Sequence, residues 1–562
     1  MSRIIINDKE MYRYFDYLFY GHGEDEKGIY KHRLKKEWKK KSLIAPYGMT
    51  NCNVNEMMGS KSLLYGERDA RAQLCVLDGM QKFLHEYVGI EGLEKLLLNN
   101  YGTIENEIFF EHDAKGNPVH IREHAKHQMK NAFLGSVLLL EYGYLEDIVK
   151  KIMAAESSTA NYLVYQAITA EFGNAKISNI SQNTVRGILE PEYRQNVIDK
   201  LQEWTYKIFM ISSMLHDIGY PLEYYLRTAK TLTEFPPYLN ILSPVVKADF
   251  AQIKATLLES QLFQQTDHIK IRQKYDMNNH GVLSAISLLM HFYHNGKIYT
   301  LKPEERCLIE MSAIAIYHHT DKFESEFRMS YQKDPISYMV RICDDLQEWE
   351  RFKIIMNDKH NYLQCGRCGS LILSNHREYK CSCCGQMYIK VTQINNRKMN
   401  YICLCDELFI EKKLKENQVV IIVHFNLLKQ LEILMDDYTA IIRRGKDLEK
   451  VKNMLEMQSM NPKLKVAYFV SNNPYYLIEQ MLQESDKNFE DIQQWINNIE
   501  EEKKRENMKK FMEDYLQHGK EALYGSQLEE NSLKYEKKVK AYIQKYYGEI
   551  YSLFQYLNGS VL

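Results

Sequence analysis

The sequence predicts a mainly α-helical protein with a cysteine-rich insertion and a small α/β module towards the C-terminus. Two observations carry this prediction. Between residues 118 and 358, apolar residues recur at helical spacing over long segments. After residue 406 the pattern changes to short apolar runs that alternate with helix-like segments. A chain of 562 residues is also long enough to bury at least one large core.

These shifts of pattern divide the chain into successive regions. In order they are an N-terminal helical region (1–117), a helical core (118–358), a cysteine-rich segment (359–405), the α/β module (406–485) and a charged helical tail (486–562). Helices are predicted in the core at Met129–Leu140, Tyr193–Leu215, Val282–Phe292, Glu304–Tyr317 and Ile336–Phe352. Prolines lie mostly in the connections between them, where proline stops or starts a helix.

The α/β module is predicted from two apolar runs. Val419–Phe425 and Lys463–Val470 have the composition of buried strands, and Lys446–Met457 between them has that of a helix. The tail that follows is helical and charged, which is typical of a solvated helix or of one that binds a protein partner.

Charge and hydropathy limit the classes of function. The formal net charge is −1, so no overall field attracts nucleic acid or an anionic membrane. One basic run, Lys31–Lys41, is interpreted as a solvated helix face rather than a nucleic-acid patch. The N-terminus lacks the apolar core of a signal peptide, and the longest apolar runs are too short to span a bilayer. We therefore expect a soluble, cytoplasmic protein without a membrane partner.

Four cysteines have the spacing of a zinc site: Cys365, Cys368, Cys381 and Cys384. They form two CxxC pairs, each followed by a glycine that permits the tight turn. Four thiolates close a tetrahedral site and leave no open position for catalysis, so the segment predicts one structural zinc and resembles a zinc ribbon. Free buried cysteines would not explain both spacings. Cys403 and Cys405 are predicted to be strand residues rather than ligands.

Histidines and aspartates follow one another in a fixed order through the core: His127, His216–Asp217, His280, His318–His319 and Asp344. The adjacent pair His216–Asp217 lies in the apolar, helix-like run Met210–Gly219. Burying an unpaired charge is costly, so this pair needs a compensating partner. Imidazole and carboxylate together suit a divalent metal such as Fe, Mn, Zn, Co or Ni.

The order H…HD…H…HH…D resembles the HD superfamily of metal-dependent phosphohydrolases. Each member lies in an apolar, helix-like context, and the resemblance covers about residues 118 to 355. It implies an all-helical HD core that hydrolyses a phosphate ester or anhydride. The substrate class that it implies is a nucleotide or a cyclic oligonucleotide.

The same resemblance assigns roles to the residues. It implies two divalent metals, either transition metals or Mg, bridged by Asp217. His127, His216 and Asp344 complete one metal site, and His280 with His318 or His319 completes the other. A hydroxide held between the metals is then the nucleophile, with Asp217 and His216 at the catalytic centre. Neighbouring helical residues point about 100° apart, so His318 and His319 cannot both face one way within a helix. At a helix end both could reach metals; of the two, we favour His318.

Three cations are candidate phosphate-binding residues: Arg122, Lys126 and Arg351. Each is also explained as an ordinary surface or salt-bridge residue. Asp345 is interpreted as a residue that faces solvent or orients a ligand. Glu123 could bind an additional metal, but a role in orienting a ligand is favoured.

Two other functions compete with a nucleotide phosphohydrolase. A metal-dependent nuclease needs several cationic contacts to the phosphate backbone, which the near-zero net charge disfavours. A non-enzymatic nucleotide sensor or scaffold, signalling through the C-terminal module in a multi-component stress or defence system, is disfavoured by the complete set of candidate ligands.

Overall fold

The computed structural model describes the following residues of the chain: 3–20, 77, 79–97, 110–112, 118–121, 124–155, 157–173, 191–220, 279–293, 300–320, 330–347, 349, 352–355, 362–365, 371–373, 388–390, 400–403, 405–425, 450–470, 489–525, 549, 552–553 and 556.

Helices make up most of the described structure. They are α1 (Asp8–Phe15), α2 (His124–Ser136), α3 (Tyr144–Ala154), α4 (Ser158–Phe172), α5 (Pro191–Leu215), α6 (His280–Tyr293), α7 (Pro303–His318), α8 (Pro335–Leu346), α9 (Phe489–Asn497) and α10 (Glu502–Gly525). Wider π-helical turns extend α1 over Asp16–Tyr20 and α2 over Val137–Glu141, and another spans Leu84–Val88. No helix within these ranges combines the length with the apolar composition that crossing a lipid bilayer requires.

The strands form several small sheets. They are β1 (Arg3–Ile6), β2 (Phe110–His112), β3 (Pro118–Ile121), β4 (Phe352–Ile355), β5 (Tyr362–Cys365), β6 (Leu371–Leu373), β7 (Tyr388–Lys390), β8 (Asn400–Cys403), β9 (Cys405–Lys413), β10 (Gln418–Phe425) and β11 (Lys463–Val470). The largest sheet has the order β1-β9-β10-β11, antiparallel except for the parallel pair β10/β11. The others are the antiparallel pairs β2/β3 and β4/β8 and the antiparallel sheet β6-β5-β7.

Helix α5 is the centre of the helical core. Its C-terminal half is buried on all sides, from Trp204 to Leu215. Helices α2, α3, α4, α7 and α8 all pack against it. Because these helices enclose the C-terminal half of α5, the His216–Asp217 pair at its end is buried as well.

The four-stranded sheet packs on this helical core. Alternate residues of its strands, such as Ile6, Ile410 and Ile421, are buried in the same apolar cluster as the helices. Asp147 of α3 stabilises the contact between the sheet and the helices. Its Oδ2 accepts hydrogen bonds from the Tyr331 hydroxyl and the Asn461 backbone N–H, both at 2.9 Å. The module around β9 to β11 is therefore fixed to the core by apolar burial and by a buried carboxylate.

The predicted mainly α fold is confirmed, and the strands of the α/β module lie where the apolar runs placed them. Cys403 and Cys405 are strand residues, as predicted. The helix predicted over Ile336–Phe352 is too long. Helix α8 ends at Leu346, because Gln347 leaves the helical conformation at ψ 53°, and Phe352 already begins β4.

The N-terminal strand was not predicted. β1 pairs with β9, so the first residues of the chain complete the sheet of the C-terminal module. Helix α1 then runs directly to the helical core, where its Asp8 carboxylate lies 3.3 Å from the ammonium of Lys130 on α2. The start of the chain thus joins the sheet to the core.

Candidate metal centre

Five helix ends converge at one place in the core. His127 lies in the first turns of α2, and the pair His216–Asp217 follows the last residue of α5. His280 begins α6, His319 directly follows α7, and Asp344 lies in the last turn of α8. Helix ends position side chains from different parts of the sequence around a common centre, and here all of these side chains are histidines or aspartates.

Asp217 lies in the middle of the cluster and uses its two carboxylate oxygens differently. Oδ2 is 3.1 Å from Nε2 of His127 and 3.5 Å from Nε2 of His216. Oδ1 faces the opposite pair, at 3.7 Å from Nε2 of His280 and 3.8 Å from Nε2 of His319. One carboxylate therefore faces two separate sets of imidazole nitrogens.

Asp344 completes the first of these sets. Its Oδ1 lies 3.0 Å from Nε2 of His127 and 3.4 Å from Nε2 of His216. Two ligand atoms about 2.1 Å from one cation are separated by about 3.0 Å at a right angle and about 3.4 Å at the tetrahedral angle. The spacings around His127, His216 and Asp344 match these values, so the set has the dimensions of a cation site.

Backbone carbonyls orient two of the imidazoles. Nδ1 of His216 is 2.9 Å from the carbonyl oxygen of Ser213, and Nδ1 of His319 is 2.5 Å from that of Ile316. Each Nδ1 therefore carries a hydrogen and donates it, which leaves a lone pair on Nε2 of the neutral ring. Both Nε2 atoms are buried and have no hydrogen-bond partner among the described residues. Lone pairs aimed at carboxylates need a cation or a proton between them.

The pKa values of the histidines and aspartates agree with the need for a positive charge between the imidazoles and the carboxylates. Burial alone would lower the pKa of His216, but the Asp217 and Asp344 carboxylates raise it to about 9. Burial and the neighbouring charge of His216 lower the pKa of His319 to about 4. Burial would raise the pKa of Asp344, but His127 and His216 hold it well below its usual range. Without metal, a proton on His216 balances the carboxylates, and His319 stays neutral.

Metal binding should consequently release a proton near neutral pH. With a pKa of about 9, metal-free His216 is protonated at pH 7.5, whereas an imidazole must be neutral to bind a metal. We expect about one proton to be released from this residue on Mn²⁺ binding, and metal affinity to increase as the pH is raised towards 9. Calorimetric titration in two buffers with different ionisation enthalpies measures this number. A heat that does not depend on the buffer would contradict the expectation.

The cluster is buried on one side and open on the other. The side chains of His216 and His319 are 0% exposed and that of Asp217 is 2% exposed. Exposure increases to 17% for Asp344 and 26% for His280. The ring of Tyr220 stacks on that of His280 with centroids 4.4 Å apart. Within the described residues, His280 and Asp344 therefore form the more exposed side of the cluster.

Two close contacts hold the helix ends together. The backbone N–H of Gly219 donates to Oγ of Ser284 at 2.8 Å, and a Cβ on Gly219 would lie 2.3 Å from the Ser284 backbone nitrogen. Asn279 caps α6 by accepting from Gly281 N at 2.9 Å, and also accepts from the Thr320 hydroxyl at 2.6 Å. The glycine after the His-Asp pair thus lets α5 end directly against the backbone of α6.

The structure distinguishes between the two adjacent histidines. His319 is buried with its ring 5.0 Å from that of His216, whereas the half-buried His318 lies edge to face against Tyr317, with centroids 5.3 Å apart. Of the two, only His319 belongs to the potential ligand groups found among the described residues. The preference for His318 is therefore not supported by the geometry.

Other predicted site residues lie apart from the cluster or outside the described part of the chain. Asp345 pairs with Arg341 at 2.7 Å, and Arg341 also donates to the carbonyl oxygen of His319. Those outside the described residues are Arg122, Glu123, Arg351, Cys368, Cys381, Cys384 and the side chains of Lys126 and Cys365. The backbone of Cys365 ends β5, so the first CxxC sequence follows a strand.

One contact of the cluster had no signal in the sequence. The side-chain nitrogen of Gln347 lies 2.6 Å from Nδ1 of His127 and 3.2 Å from Oδ1 of Asp344. A glutamine three residues after a candidate ligand is common in any helix. The Gln347 side chain reaches the cluster because α8 ends at Leu346, and the sequence pattern does not locate that helix end.

Comparison of the chain with models of protein families, with curated proteins and with solved structures finds no match. The candidate centre therefore rests on its own geometry and on the residues that form it.

Proposed function

We propose that the chain is a metal-dependent phosphohydrolase of the HD type that acts on a nucleotide or a cyclic oligonucleotide. The observation that carries the proposal is the arrangement around Asp217. Its two oxygens face two sets of imidazoles, and the buried Nε2 atoms of His216 and His319, which have no hydrogen-bond partner among the described residues, face its carboxylate. The nucleotide class follows from the resemblance of the residue order to HD phosphohydrolases.

In this proposal the donor set holds two divalent cations. His127, His216, Asp344 and Oδ2 of Asp217 would hold one, and His280, His319 and Oδ1 of Asp217 would hold the other. When bound, such a pair of cations activates water as a nucleophile and neutralises charge on a phosphoryl group. A separate, structural zinc is proposed to be held by Cys365, Cys368, Cys381 and Cys384.

The protein residues have distinct tasks in this proposal. Asp217 joins the two cation sites, and the carbonyls of Ser213 and Ile316 keep two imidazoles in the tautomer that can bind a cation. The buried side, formed by His216 and His319, excludes water. The substrate phosphate would approach from the more exposed side, near His280, where bound cations would neutralise its charge.

The proposal is tested by incubating the Mn²⁺-loaded protein with a panel of nucleoside mono-, di- and triphosphates and linear and cyclic dinucleotides. Chromatography of the products and phosphate release would identify the bond that is cleaved. We expect turnover of at least one member and its loss after chelation. Tight nucleotide binding without turnover, with Mn²⁺ bound in the cluster, would instead indicate a non-enzymatic sensor.

A further inference from the structure

Tyr220 and Asp217 lie on the same backbone turn. The N–H of Tyr220 donates to the carbonyl oxygen of Asp217 at 3.2 Å and closes the turn that follows α5. Two further contacts hold this turn against the start of α6. The N–H of Gly219 donates to Oγ of Ser284 at 2.8 Å, and a Cβ on Gly219 would lie 2.8 Å from the carbonyl oxygen of His280. The turn therefore has a fixed position relative to His280.

This turn contacts the His280 ring from two directions. Oδ1 of Asp217 lies 3.7 Å from Nε2, at the edge of the ring. The Tyr220 ring covers one face, with centroids 4.4 Å apart and 13° between the ring planes. His280 is the most exposed of the four histidines in the cluster, at 26% against 11% for His127 and 0% for the other two.

The stack restricts the rotation of the His280 ring. The last torsion of a histidine side chain is broad, so a partly exposed imidazole can turn about it. With a tyrosine ring parallel to it, such a turn would drive the edge of the imidazole into the face of Tyr220. The stack therefore keeps Nε2 directed at Asp217, a role comparable to that of the backbone carbonyls that orient His216 and His319.

The stack also favours the cation-bound form of His280. A cation bonded to Nε2 withdraws electron density from the imidazole, and the negative face of a tyrosine ring attracts an electron-poor ring more strongly. A contact that is stronger in the bound state raises the affinity for the ligand. This effect requires the aromatic face of Tyr220 and not its hydroxyl.

We propose that Tyr220 is a positioning residue for the cation site formed by His280, His319 and Oδ1 of Asp217. It holds the His280 ring with Nε2 towards Asp217 and raises the affinity of this site for a divalent cation. The other cation site, which contains His127, does not depend on the stack. The inference rests on the proposed metal centre.

The test is the affinity of the full-length protein for Mn²⁺, measured from the electron paramagnetic resonance signal of the free ion. Mn²⁺ is chosen because carboxylates and imidazoles bind it and thiolates do not favour it, so the cysteine cluster does not interfere. Tyr220→Leu removes the aromatic face, whereas Tyr220→Phe keeps the face and removes only the hydroxyl. We expect the Leu variant to bind one of two Mn²⁺ ions about fivefold or more weakly, and the Phe variant to bind both within about twofold of the unmodified protein.

The same substitution in His280→Ala protein shows whether the effect passes through the stack. There the tyrosine has no imidazole to stack on, so Tyr220→Leu should change the affinity for the remaining ion by less than about twofold. An equal loss in both backgrounds would overturn the role of Tyr220. Equal losses in the Leu and Phe variants would overturn it as well, because the hydroxyl and not the aromatic face would then be responsible.

Tyr556→Leu is the matched control. Tyr556 stacks on Trp495 of α9 with nearly the same geometry, with centroids 4.5 Å apart and 12° between the ring planes. Helix α9 is not one of the helices that form the cluster. The control variant should therefore bind both Mn²⁺ ions as tightly as the unmodified protein.

The outcome for the metal centre itself is read from His280→Ala alone. If this variant binds two Mn²⁺ ions as tightly as the unmodified protein, the proposed second cation site fails. If it loses one ion while Tyr220→Leu binds both ions normally, only the role of Tyr220 fails.

Discussion

Asp217→Asn is expected to reduce the proposed phosphohydrolase activity by at least about 1,000-fold. Asparagine keeps the size of the side chain but loses the charge, and it has one oxygen where Asp217 has two. The side chain can then no longer face His127 and His216 with one carboxylate oxygen and His280 and His319 with the other. The measurement is steady-state phosphate release with Mn²⁺, together with the metal content of both proteins.

Asp199→Asn is the matched control for this substitution. Asp199 lies on the exposed surface of α5, where its carboxylate accepts from the Gln195 side-chain amide at 3.1 Å. The same chemical change there should alter the rate by less than about tenfold, because an exposed hydrogen bond along a helix contributes little. An Asp217→Asn protein that kept its metal and more than a tenth of its activity would contradict the role given to Asp217.

Gly219→Ala is expected to destabilise the fold by about 3 kcal/mol. The new Cβ would lie 2.3 Å from the backbone nitrogen of Ser284 and 2.6 Å from the backbone carbon of Leu283. Backbone atoms within a helix cannot move aside as a flexible side chain does, so α5 and α6 must separate. That separation also moves His280 away from Asp217, so metal affinity should decrease together with stability.

Urea unfolding followed by circular dichroism measures this effect, with Gly143→Ala as the control. A Cβ on Gly143 meets nothing within 4 Å, although its φ of +82° costs the alanine about 1 kcal/mol of strain. If the two variants unfolded at the same urea concentration, the close approach of α5 to α6 would not be the reason for glycine at position 219.

Long helices could be predicted because their signal is local. Helix α5 repeats its apolar pattern over 25 residues and begins at a proline, and α7 also begins at a proline. Strand β1 could not be predicted this way. It contains four residues, and its partner β9 lies about 400 positions later, so only tertiary pairing identifies it as a strand.

In the candidate site, too, some features could be predicted from local sequence and others depend on tertiary structure. The order of the histidines and aspartates indicated which residues to bring together, and the structure brings most of them together. The choice between His318 and His319 depended on where α7 ends, which sequence patterns locate only to within a few residues. Because α7 ends at His318, the next residue turns inward and donates from Nδ1 to the Ile316 carbonyl. Gln347 was missed for the same reason, since its position depends on the end of α8.

The central claim is that this cluster binds two cations bridged by Asp217, and anomalous X-ray diffraction from Mn²⁺-loaded crystals tests it most directly. The account predicts two anomalous peaks about 3.5–4 Å apart. One should lie among His127, His216 and Asp344, the other between His280 and His319, with one oxygen of Asp217 bonded to each. Mn²⁺ bound elsewhere in the protein, with no peak within bonding distance of Asp217, would contradict it.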